Sequence, residues 1–213
     1  MAISQIKGYL KNPLNNNGKK VLVLHAWWGL NDTIKHYCDN LASEGFIVFA
    51  PDLYHGKLTD QIEIAEQYSN ELRLDQARID LENVLKIIHN QAPNSDQEIS
   101  VIGFSLGAYL ALDLSTTLPT QISKVVVYYG TGPDDYAKAK ASYLGHFSEF
   151  DPYEPESNIE ELENAFKKSK RPYTFYTYPN TGHWFCEPDR TDAYNEEATM
   201  LAWERTLSFL TQP

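Results

Sequence analysis

The sequence has little of what marks a membrane, secreted or nucleic-acid-binding protein. No apolar run approaches the roughly 20 residues that span a bilayer, and the stretch Met1 to Lys11 lacks the apolar core of a signal peptide. Two cysteines, Cys38 and Cys186, are too few for a disulfide framework. The net charge of −11 disfavours nucleic acid and anionic membranes as partners, because both favour basic surfaces. We therefore expect a cytoplasmic protein with both thiols reduced.

What is present is the composition of a globular domain. Of the 213 residues, 42% are hydrophobic and 22% charged, which is ordinary for a soluble protein with one core. Apolar runs typical of buried strands alternate with amphipathic helical segments. This alternation predicts the α/β class, with a mostly parallel sheet and helices on both faces, in one domain spanning 1–213. In such a three-layer α/β/α sandwich the site lies beyond the carboxyl ends of the strands.

The individual elements follow from hydrophobic periodicity and from turn residues. Strands are predicted at 21–26, 46–50, 99–102, 124–129, 142–147 and 173–178, with a short edge strand at 6–10. Helices are predicted after Asn31 or Asp32 up to Gly45, at 59–91, from 108 to about 117, around 159–166, and at 189–210. A break is expected at 92–95. The segments between the late strands are short, so no cap domain is expected.

The stretch Gly103-Phe104-Ser105-Leu106-Gly107 stands between a predicted strand and a predicted helix. This G-x-S-x-G spacing is typical of a nucleophile elbow, a strained turn that exposes the serine hydroxyl. Strand and helix approach so closely there that side chains at the two glycine positions would collide. The peptide N–H of Leu106, at the start of the helix, is placed to donate to an oxyanion. The pattern predicts Ser105 as a nucleophile.

A serine nucleophile needs a histidine base, and in this class of sheet the histidine follows the acid in the chain. Two histidines come after Ser105. His146 falls inside a predicted strand, whereas His183 lies in the loop after the last predicted strand and follows the small Gly182. We predict His183 as the base. The other four precede the serine and are expected to be structural or exposed: His25, His36, His55 and His89.

The acid should lie just past the strand next to that of the histidine. Asp151 follows the predicted strand at 142–147 and has this position. Four other carboxylates are open as alternatives, namely Glu149, Glu154, Asp134 and Asp135. We predict that Asp151 orients His183.

A second oxyanion donor is expected from the loop after the strand at 21–26. The backbone N–H of Trp27 is the first candidate, and that of Ala26 is the next. Aromatic side chains at the predicted strand exits would form an apolar substrate pocket. The predicted pocket residues are Ala26, Trp28, Tyr54, Tyr109, Tyr153 and Trp184.

Several of these segments together resemble the dienelactone hydrolase family of α/β-hydrolases, from about Val21 to Leu210. The resemblance lies in the segments 25–31 (HAWWGLN), 50–54 (APDLY), the elbow, 145–151, His183 and 203–210 (WERTLSFL). It implies an α/β-hydrolase fold and a compact enzyme acting on small esters or lactones without metal or cofactor. It also implies Ser105, Asp151 and His183 as the catalytic triad.

The sequence departs from the type enzymes of that family in three respects. Those enzymes use a cysteine where this chain has Ser105, and a glutamate where it has Ala26. They also hold a dianionic substrate with arginines, one of them soon after the histidine, where this chain has Glu187 and, further on, Arg190. A neutral small ester or thioester is therefore expected in preference to dienelactone. A true lactone hydrolase and a non-catalytic binding protein are the alternatives.

Overall fold

The computed structural model describes residues 7–91 and 98–212, which form seven strands and six helices. The chain divides into two compact units, residues 1–99 and 100–213. Within the described residues no helix is both long and apolar enough to cross a membrane. The predicted break at 92–95 and Ile6 of the predicted edge strand lie outside the described residues.

The first unit contains strands β1 (Gly8–Lys11), β2 (Lys20–Leu24) and β3 (Ile47–Pro51), with helices α1 (Asp32–Ser43), α2 (Ile62–Glu71) and α3 (Leu74–Gln91). β3 pairs antiparallel with β1 and parallel with β2. All five residues of β2 and of β3 are buried, as their apolar runs predict for all of them except the charged Lys20. α1 and α3 both pack on β3 and bury its side chains.

Helix α1 shows how local sequence sets an element's ends. The side chain of Asn31 accepts the N–H of Ile34 at 3.1 Å, which satisfies one of the free donors at the helix start. Gly45 follows the helix with φ of +95°, a conformation that residues with a Cβ rarely adopt. Both boundaries agree with the sequence prediction.

The second unit contains β4 (Ile99–Phe104), α4 (Leu106–Thr117), β5 (Ile122–Tyr128), β6 (Ser142–Phe150), α5 (Glu156–Ser169), β7 (Tyr173–Gly182) and α6 (Glu196–Thr211). The strands lie in the order β4-β5-β6-β7, and both β5–β6 and β6–β7 are parallel pairs. The predicted mostly parallel α/β class is confirmed.

The largest differences from the predicted boundaries lie in three regions of the chain. The helix predicted at 59–91 is two helices, because the chain turns to an extended conformation at Leu72, whose N–H bonds to the Ser69 carbonyl. No glycine or proline marks this break. The closing helix begins at Glu196 and not at Asp189, because Asn195 caps it by accepting the Ala198 N–H at 3.0 Å.

The third difference concerns the two last strands, which run past their predicted ends at 147 and 178. β6 and β7 stay paired up to Phe150 and Gly182, with a register shift between Ser148 and Phe150. Such a bulge keeps two strands paired while it changes the direction in which the following side chains point. The predicted loops at 148–150 and 179–182 are therefore strand.

Candidate active site

Ser105 stands on a sharp turn between β4 and α4, with φ of 50° and ψ of −112°. A non-glycine residue at positive φ is strained, as expected for a nucleophile elbow. A Cβ at Gly103 would overlap the carbonyl of Gly107, which explains the first glycine of the motif. Leu106 is the first residue of α4, so its N–H has no acceptor within the helix. The turn presents the hydroxyl and a backbone donor side by side.

His183 lies within hydrogen-bond distance of Ser105. The Oγ of Ser105 is 2.9 Å from Nε2 of His183, although 78 residues separate them in the chain. The histidine is buried and the serine half-buried. His183 follows directly after β7, as predicted, whereas His146 lies fully buried within β6.

Asp151 lies on the other side of the imidazole. Its Oδ2 and Oδ1 are 2.8 and 2.9 Å from Nδ1 of His183. Since a carboxylate only accepts, Nδ1 carries the proton, and Nε2 is left free to accept from the Ser105 hydroxyl. The three residues predicted from the sequence thus form one continuous line of hydrogen bonds.

Several donors hold the Asp151 carboxylate in place. Ser148 Oγ donates to Oδ2 at 2.7 Å, and the backbone N–H groups of Tyr153 and Glu154 donate to Oδ1 at 3.0 and 2.9 Å. Burial acts to raise the pKa of Asp151, but the hydrogen bonds from His183, Ser148 and Glu154 outweigh it and the pKa is lowered. The group therefore stays ionised at neutral pH. Nothing in the sequence pattern singled out Ser148.

The alternative carboxylates make other contacts. Glu149 accepts the backbone N–H of Asn180 at 2.7 Å, and Glu154 accepts both the N–H and the hydroxyl of Thr131. Asp135 accepts the N–H of Ala137, and Asp134 is exposed. Of the five candidates, Asp151 is the carboxylate bonded to His183.

Three aromatic rings surround the imidazole. The ring centroids of Tyr129, Trp184 and Tyr153 lie 4.9, 5.0 and 5.2 Å from that of His183. Trp184 is buried, whereas Tyr153 is 44% exposed and forms the solvent-facing side of this group.

Tyr109, also predicted, is half-buried on α4, and its N–H donates to the Ser105 carbonyl at 3.3 Å. Tyr129 was missed, although its position at the end of β5 could have indicated it.

The remaining predicted residues belong to the first unit. Ala26, Trp28 and Tyr54 are buried there and Trp27 is half-buried, with the two tryptophan rings 5.5 Å apart.

His25 fixes the peptide group between Ala26 and Trp27. Its Nε2 accepts the Leu53 N–H at 3.2 Å, so its Nδ1 carries the proton and donates to the Ala26 carbonyl at 2.6 Å. The predicted oxyanion role of the Trp27 N–H stays a prediction.

Backbone strain is concentrated around the line of hydrogen bonds. Among the described residues other than glycine, six have positive φ. Three of these are Ser105, Tyr129 and Trp184, in or beside the hydrogen-bonded line, and a fourth is Asn180 in β7, the strand that leads to His183. Strain of this kind costs about 1–3 kcal/mol per residue and persists where the surrounding contacts over-determine the conformation.

The elbow, the hydrogen-bonded line and the mostly parallel sheet together define the α/β-hydrolase class. The fold agrees with a crystal structure of a provisionally named dienelactone hydrolase from Klebsiella pneumoniae subsp. pneumoniae MGH 78578, at a TM-score of 0.87 and 22% identity over 98% of this chain and 93% of that one. A dienelactone hydrolase-like promiscuous phosphotriesterase, P91, from metagenomic libraries gives a TM-score of 0.82 at 20% identity, covering 94% and 87% of the two chains.

The profile of the dienelactone hydrolase family matches residues 6–213, so the chain belongs to this family of hydrolases. A relative from Aquifex aeolicus (strain VF5), provisionally named a carboxymethylenebutenolidase, is 25% identical over 214 residues, covering 96% of this chain and 92% of that protein. The family resemblance and the α/β-hydrolase fold expected from the sequence are both confirmed.

Proposed function

We propose that the protein is a serine hydrolase that cleaves small carboxylic esters. The observation that carries the proposal is the line of hydrogen bonds from Ser105 through His183 to Asp151. A serine hydroxyl is a weak nucleophile until an oriented base takes its proton. In this line the base has a free Nε2 toward the serine and a protonated Nδ1 toward the carboxylate, which is the state that such catalysis requires.

The reaction proceeds by acyl transfer to the serine and then to water. Ser105 Oγ attacks the ester carbonyl while His183 takes its proton, and the imidazolium that forms is stabilised by Asp151. The N–H groups of Leu106 and Trp27 hold the oxyanion. His183 then protonates the leaving alcohol, and in the second half it activates the water that releases the acid. Apart from the ester and this water, every group in these steps belongs to this chain.

The substrate class follows from the surroundings of the nucleophile. Tyr153 and Trp184 place aromatic rings beside His183, and Tyr109, Ala26, Trp28 and Tyr54 are proposed as further pocket residues. The carboxyl of Glu187, four residues after the histidine, is buried and accepts a hydrogen bond from Tyr129. No arginine occupies this position to attract an anionic acyl group. A small neutral ester or thioester fits these features best.

A lactone is the second candidate substrate. The Aquifex relative carries the provisional name of carboxymethylenebutenolidase. A relative from Bradyrhizobium, 26% identical over 206 residues, is named a probable 2-oxo-3-(5-oxofuran-2-ylidene)propanoate lactonase. The same serine chemistry opens a lactone, so the two candidates differ in the substrate and not in the machinery.

The test compares neutral p-nitrophenyl esters of increasing acyl length with a neutral and an anionic lactone, using the full chain. We expect hydrolysis of the short esters, its loss in Ser105→Ala, and retention in Ser208→Ala, an exposed serine on α6. Faster turnover of the anionic lactone would select the lactonase. Absence of turnover on all substrates would favour a non-catalytic binding protein.

Three further expectations from the sequence belong to this proposal. We propose that residues 1–213 unfold as one domain, which a single calorimetric transition would support. We propose a cytoplasmic location, testable by cell fractionation. We also propose that the protein binds neither nucleic acid nor membranes, consistent with its net charge of −11.

A further inference from the structure

Tyr129 adopts a conformation that tyrosine rarely adopts. It directly follows β5, is fully buried, and has φ of +40°. Glycine would occupy such a position without a steric cost. A bulky side chain in this region is a genuine outlier, and it persists only where surrounding contacts hold it. The contacts of the Tyr129 side chain therefore indicate what this conformation contributes to the protein.

The ring of Tyr129 packs against the imidazole of His183, with centroids 4.9 Å apart and planes at 58°. Its backbone is fixed as well, since its N–H donates to the His146 carbonyl at 2.8 Å. The preceding residue, Tyr128, accepts the Ser105 N–H through its carbonyl at 3.0 Å. The segment Tyr128-Tyr129 therefore contacts the backbone of Ser105 through the Tyr128 carbonyl and the imidazole of His183 through the Tyr129 ring.

The phenol of Tyr129 is held by a buried carboxyl group. Its hydroxyl donates to Oε1 of Glu187 at 2.7 Å, and Glu187 is only 1% exposed. Oε2 of Glu187 is also buried and makes no hydrogen bond within the described residues. Burial raises the pKa of Glu187 to about 8, with Asp189 acting in the same direction and Tyr129 and Arg190 against it. The carboxyl is therefore mostly neutral at pH 7 and acts as a hydrogen-bond acceptor.

We propose that Tyr129 is a positioning residue for His183, and that Glu187 holds it in place through the phenol hydroxyl. The buried phenol–carboxyl bond keeps the Tyr129 ring against the imidazole, so that Nε2 stays directed at Ser105 and Nδ1 at Asp151. Neither side chain needs to touch the substrate. The inference deepens the proposed function and rests on it for its kinetic part.

The test uses two substitutions that remove the bond and keep the shapes. Tyr129→Phe removes the hydroxyl and keeps the ring, whereas Glu187→Met removes the acceptor and keeps an unbranched side chain of similar length. In each single variant we expect kcat for a short neutral ester to fall roughly tenfold to a hundredfold, the scale for a slightly misplaced catalytic group. KM should stay within about twofold, because substrate contacts are unchanged.

The double variant separates positioning from stability. Removing one partner leaves a buried polar group unpaired, whereas replacing both by apolar groups of the same shape is nearly neutral. The double variant should therefore recover thermal stability relative to Tyr129→Phe, while kcat stays as low as in the single variants. A purely structural role predicts that kcat recovers with stability, and that result would overturn the proposal. So would a Tyr129→Phe variant with wild-type kcat.

A rescue and a matched control complete the design. Glu187→Gln keeps a neutral acceptor at the same place, so it should retain most of the activity that Glu187→Met loses. Tyr143 is a second buried tyrosine whose hydroxyl is bonded, to Ser115 at 2.8 Å, but its ring stacks on Phe166. Tyr143→Phe should lose stability and leave kcat unchanged. Equal loss of kcat in Tyr143→Phe would contradict a specific effect at His183.

A spectroscopic measurement does not depend on the substrate. The proton shared by His183 Nδ1 and Asp151 should give a low-field proton resonance in the wild-type protein. We expect this resonance to broaden or shift in Tyr129→Phe and Glu187→Met, and to be unchanged in Tyr143→Phe. If the wild type shows the resonance and no ester is hydrolysed, the proposed function is wrong, and the resonance in the variants still tests the positioning of His183. If esters are hydrolysed and the resonance is unaltered in all variants, the positioning role fails alone.

Discussion

Phe150 and Gly182, the last residues of β6 and β7, are partners in the strand register, and Asp151 and His183 directly follow them. The acid and the base are therefore brought together by strand pairing and not by the loops that follow. The register shift just before this pair adds residues to β7, and Glu149 secures it by accepting the Asn180 N–H at 2.7 Å. The contact between Asp151 and His183 is thus built into the sheet.

The first prediction concerns the acid. Asp151→Asn keeps the shape of the side chain but places an amide where the carboxylate accepts from Nδ1, so the wrong tautomer of His183 is favoured. Turnover should fall roughly ten-thousand-fold, the scale known for this change in a serine protease. Steady-state kinetics check it, with Glu149→Gln as the control because its amide oxygen can still accept from Asn180. A larger loss in Glu149→Gln than in Asp151→Asn would make the assignment wrong.

The second prediction concerns the elbow. In Gly103→Ala the new Cβ would overlap the backbone of Gly107, which cannot move without displacing α4. We expect the free energy of unfolding to fall by about 1–3 kcal/mol, the usual cost of overpacking, or more. Gly182→Ala is the matched control, because its nearest neighbour would be the Phe150 carbonyl at an ordinary 3.5 Å. Equal losses in denaturant titrations of the two variants would contradict the steric account.

The third prediction concerns Glu187 between pH 4.5 and about 8. Its pKa is raised from 4.5 to about 8, mainly by burial, so between these values the folded protein holds a proton that the unfolded chain has released. The free energy of unfolding should therefore fall as pH rises through this window, by at most about 1.4 kcal/mol per pH unit. Glu187→Gln should remove this slope. An identical pH dependence in wild type and variant would show that Glu187 is ionised when folded.

The fourth prediction concerns His146 at acid pH. Burial lowers its pKa from 6.5 to about 3, with Arg205 acting in the same direction. Below pH 6.5 His146 binds a proton in the unfolded chain but not in the folded protein. The free energy of unfolding should therefore fall as pH decreases toward 3. His146→Gln should flatten this part of the curve, whereas replacement of the exposed His36 by Gln should not. Equal curves for all three proteins would refute the effect.

The parts of the fold that sequence could predict are those with a local physical cause. Gly103 marks the elbow because a Cβ there would overlap the backbone of Gly107, and Asn31 and Gly45 mark the ends of α1 by capping and by positive φ. The break at Leu72 had no such mark, whereas Asn195 caps the start of α6 in the same way as Asn31 caps that of α1. At Leu72 the chain leaves the helix through a backbone hydrogen bond from its N–H to the Ser69 carbonyl, and such a bond leaves no pattern in the sequence.

The candidate site likewise has residues that the sequence could predict and contacts that it could not. Ser105 and His183 were predictable from the motif and from chain order, and Asp151 from its place beside a strand end. The contact between Tyr129 and Glu187 was not predictable, because 58 residues separate the two and no motif links them. Their hydrogen bond depends on β5 and the segment after β7 meeting in the folded unit. Long-range pairs of this kind leave no local pattern in a sequence.

The central claim is that Ser105 is the nucleophile, and a fluorophosphonate tests it most directly. Such a reagent reacts covalently with a serine only when a base activates the hydroxyl. After labelling of the full chain, peptide mapping by mass spectrometry should place the adduct on Ser105 alone, with no adduct in Ser105→Ala and strongly slowed labelling in an alanine substitution of His183. Labelling that survives Ser105→Ala, or that maps to another residue, would contradict the account.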